Sequence, residues 1–277
     1  MTPEQYCQTK AATSGSSFYY SFLFLPPDKR RAITALYAFC REVDDVVDEC
    51  VEPELARTKL AWWRGEIDAL FKGTPQHPVT RALSEPIVNF NLPQSRFLDI
   101  IAGMEMDLTR QRYATFDDLQ LYCYRVASVV GLMAAEIFGR TEAATLDYAE
   151  NLGTAFQLTN IIRDIGEDAS RNRIYIPLDE LARFEVDTHD ILRGHTSPRL
   201  EELLDYQITR ARQYYERALD VLPETDRRAQ RPGLVMAAIY RSLLDEIETS
   251  KTNVLTTRAT LSPIRKLWIA WRTWLSA

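Results

Sequence analysis

The chain has 277 residues, 46% of them hydrophobic, enough to bury a sizeable core and too apolar for a disordered polypeptide. Its 33 Lys and Arg against 39 Asp and Glu leave a formal net charge of -6, which argues against nucleic acid as a partner, because phosphate neutralisation needs clustered basic residues. The four cysteines, Cys7, Cys40, Cys50 and Cys123, show no Cys-x-x-Cys spacing and read as reduced core residues of a cytoplasmic protein.

Residues 18–25 form an apolar run without a basic flank or a small-residue cleavage site, and it meets Pro26-Pro27, so it reads as a buried N-terminal helix and not a secretion signal. From Asp28 onward apolar residues recur at spacings of three and four, while strand-type alternation is almost absent. This predicts an all-α fold. Breaks fall at Pro26-Pro27, Pro53, Gly73-Thr74-Pro75, Leu92-Pro93, Pro177, Ser197-Pro198, Pro223, Arg231-Pro232-Gly233 and Ser262-Pro263, delimiting helices of about 15 to 25 residues. No long polar linker and no repeat of fixed period interrupts them, so residues 1–277 read as a single domain. No apolar stretch reaches the roughly 18 residues of a membrane span.

The first helix that carries chemistry covers residues 36–47. Placed on a helix, Tyr37, Arg41, Asp44 and Asp48 fall on one side and the remaining surface is Leu, Ala, Phe, Cys and Val. A helix this apolar is largely buried, and unpaired carboxylates there cost several kcal/mol, on the order that only nearby cations offset. The second such segment, Gly153 to Asp168, sets Gln157, Asn160, Asp164 and Asp168 in one ridge, with Glu167 beside it and Gly153 leaving room for close approach.

With 19 Asp in the chain, roughly one Asp-x-x-x-Asp pair is expected by chance, so the spacing alone decides little. Two such pairs in apolar helices, each with an Arg on the same face, decide more. Facing each other they offer four carboxylates and an amide oxygen, a hard donor set suited to Mg²⁺ completed by water and phosphate oxygens. A di-iron site requires Glu-x-x-His pairs, and neither His77, His189 nor His195 has a Glu three residues before it. Arg171 and Arg173, where the second acidic helix ends, are placed to bind diphosphate bidentately.

At the C-terminus, residues 262–277 place Ile264, Leu267, Trp268, Trp271, Trp274 and Leu275 on one face, flanked by Arg265, Lys266 and Arg272. This predicts either an interfacial helix, peripheral on the inner face of the cytoplasmic membrane, or a terminal helix packed on the core.

Three longer motifs carry a resemblance: Tyr37-x-x-x-Arg41-x-x-Asp44-x-x-x-Asp48, Tyr122-Cys-Tyr-Arg-Val-Ala127, and Gln157-Leu-Thr-Asn-Ile-Ile-Arg-Asp-Ile-Gly-Glu-Asp168 followed by Arg173-Ile-Tyr-Ile-Pro177. Over residues 14–255 the chain resembles the squalene and phytoene synthase family. Ser14-Gly-Ser-Ser-Phe-Tyr-Tyr-Ser-Phe, Arg57-Thr-Lys-Leu-Ala-Trp-Trp, Gly103-Met-Glu-Met-Asp107 and Arg228-Ala-Gln-Arg-Pro-Gly-Leu are most similar to bacterial presqualene diphosphate synthases of hopanoid biosynthesis. The resemblance implies an all-α isoprenoid-synthase fold with a central hydrophobic cavity, Mg²⁺ without NADPH, and head-to-head condensation of two farnesyl diphosphates to presqualene diphosphate. The alternatives are phytoene, dehydrosqualene or reductive squalene synthesis, and, outside catalysis, a helical scaffold. By similarity Asp44, Asp48, Asp164 and Asp168 hold the metal with Asn160 and Gln157 in support, Arg41, Arg163 and Arg173 contact diphosphate, and Tyr37 and Tyr124 lie near the developing carbocation. The family's hydroxyl and basic residue before Ser17 are replaced here by Gly15 and Ser16, so diphosphate binding is not expected there.

Overall fold

The computed structural model describes residues 1–13, 21–22, 24–50, 52–250 and 254–276; most of the 18–25 run and the motif beginning at Ser14 lie outside them. Regular structure among the described residues is helical, apart from one isolated parallel bridge between Arg112 and Ile174. The first half comprises α1 (Pro3–Thr13), α2 (Pro27–Glu49), α3 (Pro53–Phe71), α4 (Pro78–Asn89) and α5 (Gln94–Thr109). Next come α6 (Phe116–Cys123), a π-helical turn (Tyr124–Ser128) and α7 (Val129–Phe138) in one continuous helix. The second half comprises α8 (Ala144–Arg163), α9 (Ile165–Ser170), α10 (Leu178–Arg183), α11 (Thr188–Arg193), α12 (Pro198–Val221), α13 (Glu224–Arg227), α14 (Arg231–Thr249) and α15 (Pro263–Ser276).

Proline sets most of these boundaries. It occupies the first or second position of α2, α3, α4, α12 and α14, where its missing N–H has no intrahelical partner to lose and its fixed φ suits the helix. Other boundaries have no proline, and two of them border the helix that runs between the two halves. Thr115 caps α6 by accepting the Asp118 N–H, and Gly139, at φ 93°, ends α7. The helices α9, α10, α11 and α13 have four to six residues, shorter than the sequence predicts.

The buried apolar residues form two clusters. One joins α1 to α5 and α7 through Leu36, Phe39, Leu60, Ile67, Phe97 and Met133; the other joins α6, α8, α12 and α14 through Leu158, Leu203, Tyr215, Ile239 and Leu244. Each Leu or Phe buried this way contributes about 1.5–3 kcal/mol relative to exposure. Tyr124 and Val126 of the π turn touch both clusters. The helix spanning Phe116–Phe138 is long and apolar enough to cross a membrane, contrary to the sequence expectation, which missed it because polar Tyr and Arg residues interrupt the run. Half of its most apolar window is buried inside the bundle, and it lines the cavities described below, as a core helix does.

Gly153 lets α8 lie directly on this helix. A Cβ there would sit 2.5 Å from the Ser128 Cα and 2.8 Å from the Ala127 carbonyl oxygen. Close approach of the two backbones is what aligns the second acidic segment with the first.

Candidate active site

The two acidic segments meet across a polar cavity of about 330 Å³. Arg41, Asp44 and Asp48 of α2 line one wall, and Gln157, Asn160, Arg163, Asp164, Asp168, Arg171 and Arg173 line the other. Every one of the predicted metal and diphosphate residues therefore faces one space. The predicted ridge is bent rather than straight. Asp164 leaves helical geometry at φ -102°, ψ 11°, while the Asp164 N–H still reaches the Asn160 carbonyl and the Asp168 N–H the Asp164 carbonyl. At the bend, Gly166 lies against the Leu255 backbone, whose oxygen would be 2.2 Å from any Cβ.

Carboxylates and guanidiniums alternate around the cavity. Arg41 donates to Asp44 at 2.6 Å and to Asp45, Arg163 forks onto Asp164 in two bonds, and Arg171 donates to Asp48 at 3.1 Å with Arg173 at 3.7 Å from the same carboxylate. The loop that carries Arg171 and Arg173 is pinned at Asn172, which sits at φ 57°, a conformation Asn tolerates. Arg112 donates to the Asn172 carbonyl at 2.6 Å, and the Ile174 N–H bonds the Gln111 carbonyl at 3.0 Å.

Burial pushes Asp44 up to about 6 against the opposing charge of Arg41, and the like charges of Asp48 and Asp107 add to the rise. The Asp44 side chain opens on the cavity, so this pressure comes from the protein that encloses its other sides. Burial and the neighbouring Asp164 push Asp168 up to about 7. Burial acts upward on Asp164 too, yet Arg163 and Arg258 hold it below the usual carboxylate range. Carboxylates raised by crowding are poised for a cation that relieves the crowding.

Magnesium fits this donor set on a second count. The Asn160 Oδ1 atom is buried without a hydrogen-bond partner, an arrangement that costs about 1–3 kcal/mol unless a ligand satisfies it. Among the described residues no three His, Cys, Asp or Glu side chains converge on one point, so protein ligands alone do not complete a metal sphere. A cation here would be held by one or two carboxylates, with the rest of its sphere supplied from outside the chain.

A second cavity, of about 180 Å³ and apolar, adjoins the polar one; Cys40, Val126, Gln157 and Asn160 line both. Tyr37, Phe138, Tyr148 and Phe156 form its aromatic walls. Tyr37 thus stands where a carbocation would need shielding. Tyr124 does not: it lines neither cavity, and the charges that act on it are Asp99, Glu150 and Arg96. Two residues along a helix turn a side chain through about 200°, so it is Tyr122 that reaches the polar cavity.

Sequence reasoning missed two further site residues, Asp107 and Arg258. Asp107 of α5 lies buried on the cavity wall and accepts from the Tyr122 and Tyr175 hydroxyls at 3.0 and 2.8 Å. Burial pushes Asp107 up to about 6, with those two hydroxyls and Arg173 acting against the rise. An acid in the apolar helical run at residues 100–108 was the available signal. Arg258 reaches back to Asp164 at 2.7 Å from a segment without periodicity, where no signal exists.

The family model for squalene/phytoene synthase covers residues 11–265. The chain belongs to the squalene/phytoene synthase family. It is 39% identical to 15-cis-phytoene synthase of Synechocystis sp. over 98% of this chain and 84% of that protein. It is also 39% identical to a chloroplastic phytoene synthase of an Oncidium hybrid cultivar over 95% of this chain, which spans 64% of that relative's length. Among solved structures it is similar to a dehydrosqualene synthase in complex with a ligand, with a TM-score of 0.88 at 30% identity over 98% of this chain and 95% of that one. A squalene synthase from Alicyclobacillus acidocaldarius superposes with a TM-score of 0.81 at 27% identity over 90% and 94%. The family is one of prenyltransferases, and its all-α isoprenoid-synthase fold is the one described above.

Proposed function

We propose that the chain is a Mg²⁺-dependent prenyltransferase that condenses two allylic prenyl diphosphates head to head and carries the product on, without NADPH, to a phytoene- or dehydrosqualene-type hydrocarbon. The observation that carries the reading is the junction of the two cavities at Cys40, Val126, Gln157 and Asn160. A charged cavity opening into an oily one fits a molecule with a diphosphate head and an isoprenoid tail.

Charge balance supports the metal. Six carboxylates and five guanidiniums line the polar cavity, so a diphosphate brought in alone would make an already acidic space more so. Asp44, Asp48, Asp164, Asp168 and Asn160 would hold the magnesium, which when bound neutralises the leaving diphosphate. Arg41, Arg163, Arg171 and Arg173 exchange their carboxylate partners for diphosphate oxygens and draw the leaving group off one substrate. Tyr37, Phe156 and the other apolar walls exclude water from the allylic cation. The 2,3 double bond of the second substrate attacks that cation, and loss of a proton closes a cyclopropane. With Tyr124 turned away and the Tyr122 and Tyr175 hydroxyls committed to Asp107, an oxygen of the released diphosphate is the proton acceptor.

The curated relatives reported above are phytoene synthases, which favours onward rearrangement of the cyclopropane and a geranylgeranyl substrate. Arrest at presqualene diphosphate from farnesyl diphosphate has the support of the subgroup motifs alone. Incubation of purified protein and Mg²⁺ with farnesyl or geranylgeranyl diphosphate, with and without NADPH, followed by phosphatase and mass spectrometry, separates them. Phytoene or dehydrosqualene without NADPH supports the proposal. Presqualene alcohol under both conditions returns the chain to the diphosphate synthases, and squalene only with NADPH moves it to the reductive branch. No condensation from either substrate leaves the scaffold reading.

A further inference from the structure

The C-terminal helix α15 turns its large apolar side chains away from the protein. At about 100° per residue, Ile264, Leu267, Trp268, Trp271 and Leu275 share one arc, and each is between 47% and 80% exposed. The opposite arc packs on the body through Ile269 and Ala270, which are buried. Trp274, grouped with the outer face on sequence grounds, turns inward, with its ring 5.1 Å from Phe24 and the Arg231 guanidinium 5.7 Å above it. A helix whose amphipathicity served the core would bury its bulky residues and expose its small ones. This one packs on the core through Ile269, Ala270 and Trp274 and still leaves five large apolar side chains uncovered, more than core packing uses.

The charges on α15 point the same way. It carries Arg265, Lys266 and Arg272 and no acid, in a chain whose net charge is -6. Arg272 lies over the Trp268 ring at 4.8 Å, and Arg265 is bonded to Glu246 at 2.9 Å, so both flank the exposed arc. Lys266 belongs to the inner side, where Arg163 and Arg258 act on it after burial to lower its pKa.

We propose that the outer face of α15 docks this protein peripherally on an anionic lipid surface, with Trp268, Trp271 and Leu275 at the boundary between headgroups and acyl chains. Tryptophan and leucine beside arginine is the composition that such a boundary retains. Anionic headgroups neutralise Arg272, at about 1 kcal/mol per basic residue near the surface, and compete with Glu246 for Arg265. A second copy of the chain, paired two-fold through the same face, would instead set the arginines of one helix against those of the other.

Docking also has a consequence that rests on the proposed function. Arg231, which holds Trp274, lies between Gln230 and Pro232 of the apolar cavity wall. The apolar cavity wall is thus linked through Arg231 and Trp274 to the helix that would meet the lipid, into which a hydrocarbon product would partition.

The test uses full-length protein and vesicles of phosphatidylcholine with or without phosphatidylglycerol. Wild type is expected to sediment with the anionic vesicles, and the triple variant Trp268→Ser, Trp271→Ser, Leu275→Ser to lose at least tenfold of that binding with unchanged condensing activity in detergent. Should the triple variant fail to fold, the pair Arg265→Glu and Arg272→Glu is expected to lose binding to anionic vesicles with the apolar face intact. Truncation at Leu261 is the wrong control, because it strips Ile269 and Ala270 from the core. Equal sedimentation of wild type and variants, or none by wild type, overturns the proposal. A wild-type dimer that becomes monomeric in the triple variant without vesicle binding also overturns it and assigns the face to a second copy. Activity in detergent is read separately, so loss of docking and loss of the catalytic reading are distinguishable.

Discussion

Arg171, in the turn that follows the second acidic helix, donates to Asp48 of the first at 3.1 Å, and Arg173 stands 3.7 Å from the same carboxylate. This is where the two halves of the site touch through charge. Arg171 is 42% exposed and Arg173 only 16%, so the two bonds differ in weight. An exposed ion pair is worth about 0–1 kcal/mol, and Arg171→Gln is expected to leave stability unchanged and lower kcat modestly. Arg173→Gln is expected to lower kcat/KM at least a hundredfold, and Arg173→Lys to recover little of it, because a point charge does not reproduce the fork. Steady-state kinetics of the three variants decide; equal effects at 171 and 173 would contradict the ranking.

Incomplete protein coordination predicts weak binding of magnesium by itself. Titration calorimetry is expected to show Mg²⁺ affinity rising at least tenfold when inorganic diphosphate is present, and Asp44→Asn or Asp164→Asn to abolish that gain while the far-ultraviolet circular dichroism is unchanged. Tight Mg²⁺ binding without diphosphate, or wild-type turnover in either variant, would show that the carboxylates act otherwise.

Asp107 is held at a cost. Its carboxyl, pushed up to about 6 by burial, is ionised later in the folded chain than in the unfolded one. The resulting destabilisation grows as pH rises from about 4 to about 6 and then stays, reaching at most about 3 kcal/mol. Asp107→Asn is expected to raise Tm relative to wild type at pH 7.5 more than at pH 4.5, and at the same time to lower kcat at least tenfold through Arg173, which Asp107 faces. Thermal melts at the two pH values test the first part; a variant destabilised more at pH 7.5 would reverse the assignment.

Asp226 shows the opposite sign. It is buried and accepts from the Thr141 and Glu142 N–H groups at 2.9 and 3.0 Å and from the Thr141 and Thr145 hydroxyls at 2.6 and 2.5 Å. Burial alone would raise it, but these donors bring it down to about 2. It therefore contributes about 2 kcal/mol above pH 4, lost as pH falls from about 4 to about 2. Asp226→Ala is expected to destabilise strongly at pH 7 in urea titrations, with the gap to wild type narrowing below pH 4. A gap independent of pH would mean the hydrogen bonds do not distinguish the two protonation states.

Much of this site was legible because its residues sit in periodic, apolar helices. Prolines at 27, 53, 93, 198 and 263 announced where helices begin, and the face shared by Arg41, Asp44 and Asp48 is set by helical geometry alone. The joints at residues 110–115 and 139–143 left no such mark, since a Thr cap and a glycine at φ 93° are common residues in unremarkable surroundings. That Tyr122 and not Tyr124 turns to the polar cavity depends on how their helix is rotated against α5 and α8, a matter of packing that its own sequence does not state. Arg258, 94 residues beyond its partner Asp164, is a tertiary contact that no local pattern encodes.

The π turn at Tyr124–Ser128, closed by the Val129 N–H on the Tyr124 carbonyl, amounts to one residue inserted into an otherwise regular helix. On the N-terminal side of it Tyr122 looks into the charged cavity; on the other side Val130, Gly131 and Ala134 look into the oily one. A one-codon deletion within the turn would restore an even helix and swing Tyr122 about 100° off the cavity, taking the buried Leu119 and Cys123 with it and forcing the second cluster to repack. For a lineage exploring new products, the orientation of half the pocket is thus heritable as the presence or absence of a single triplet.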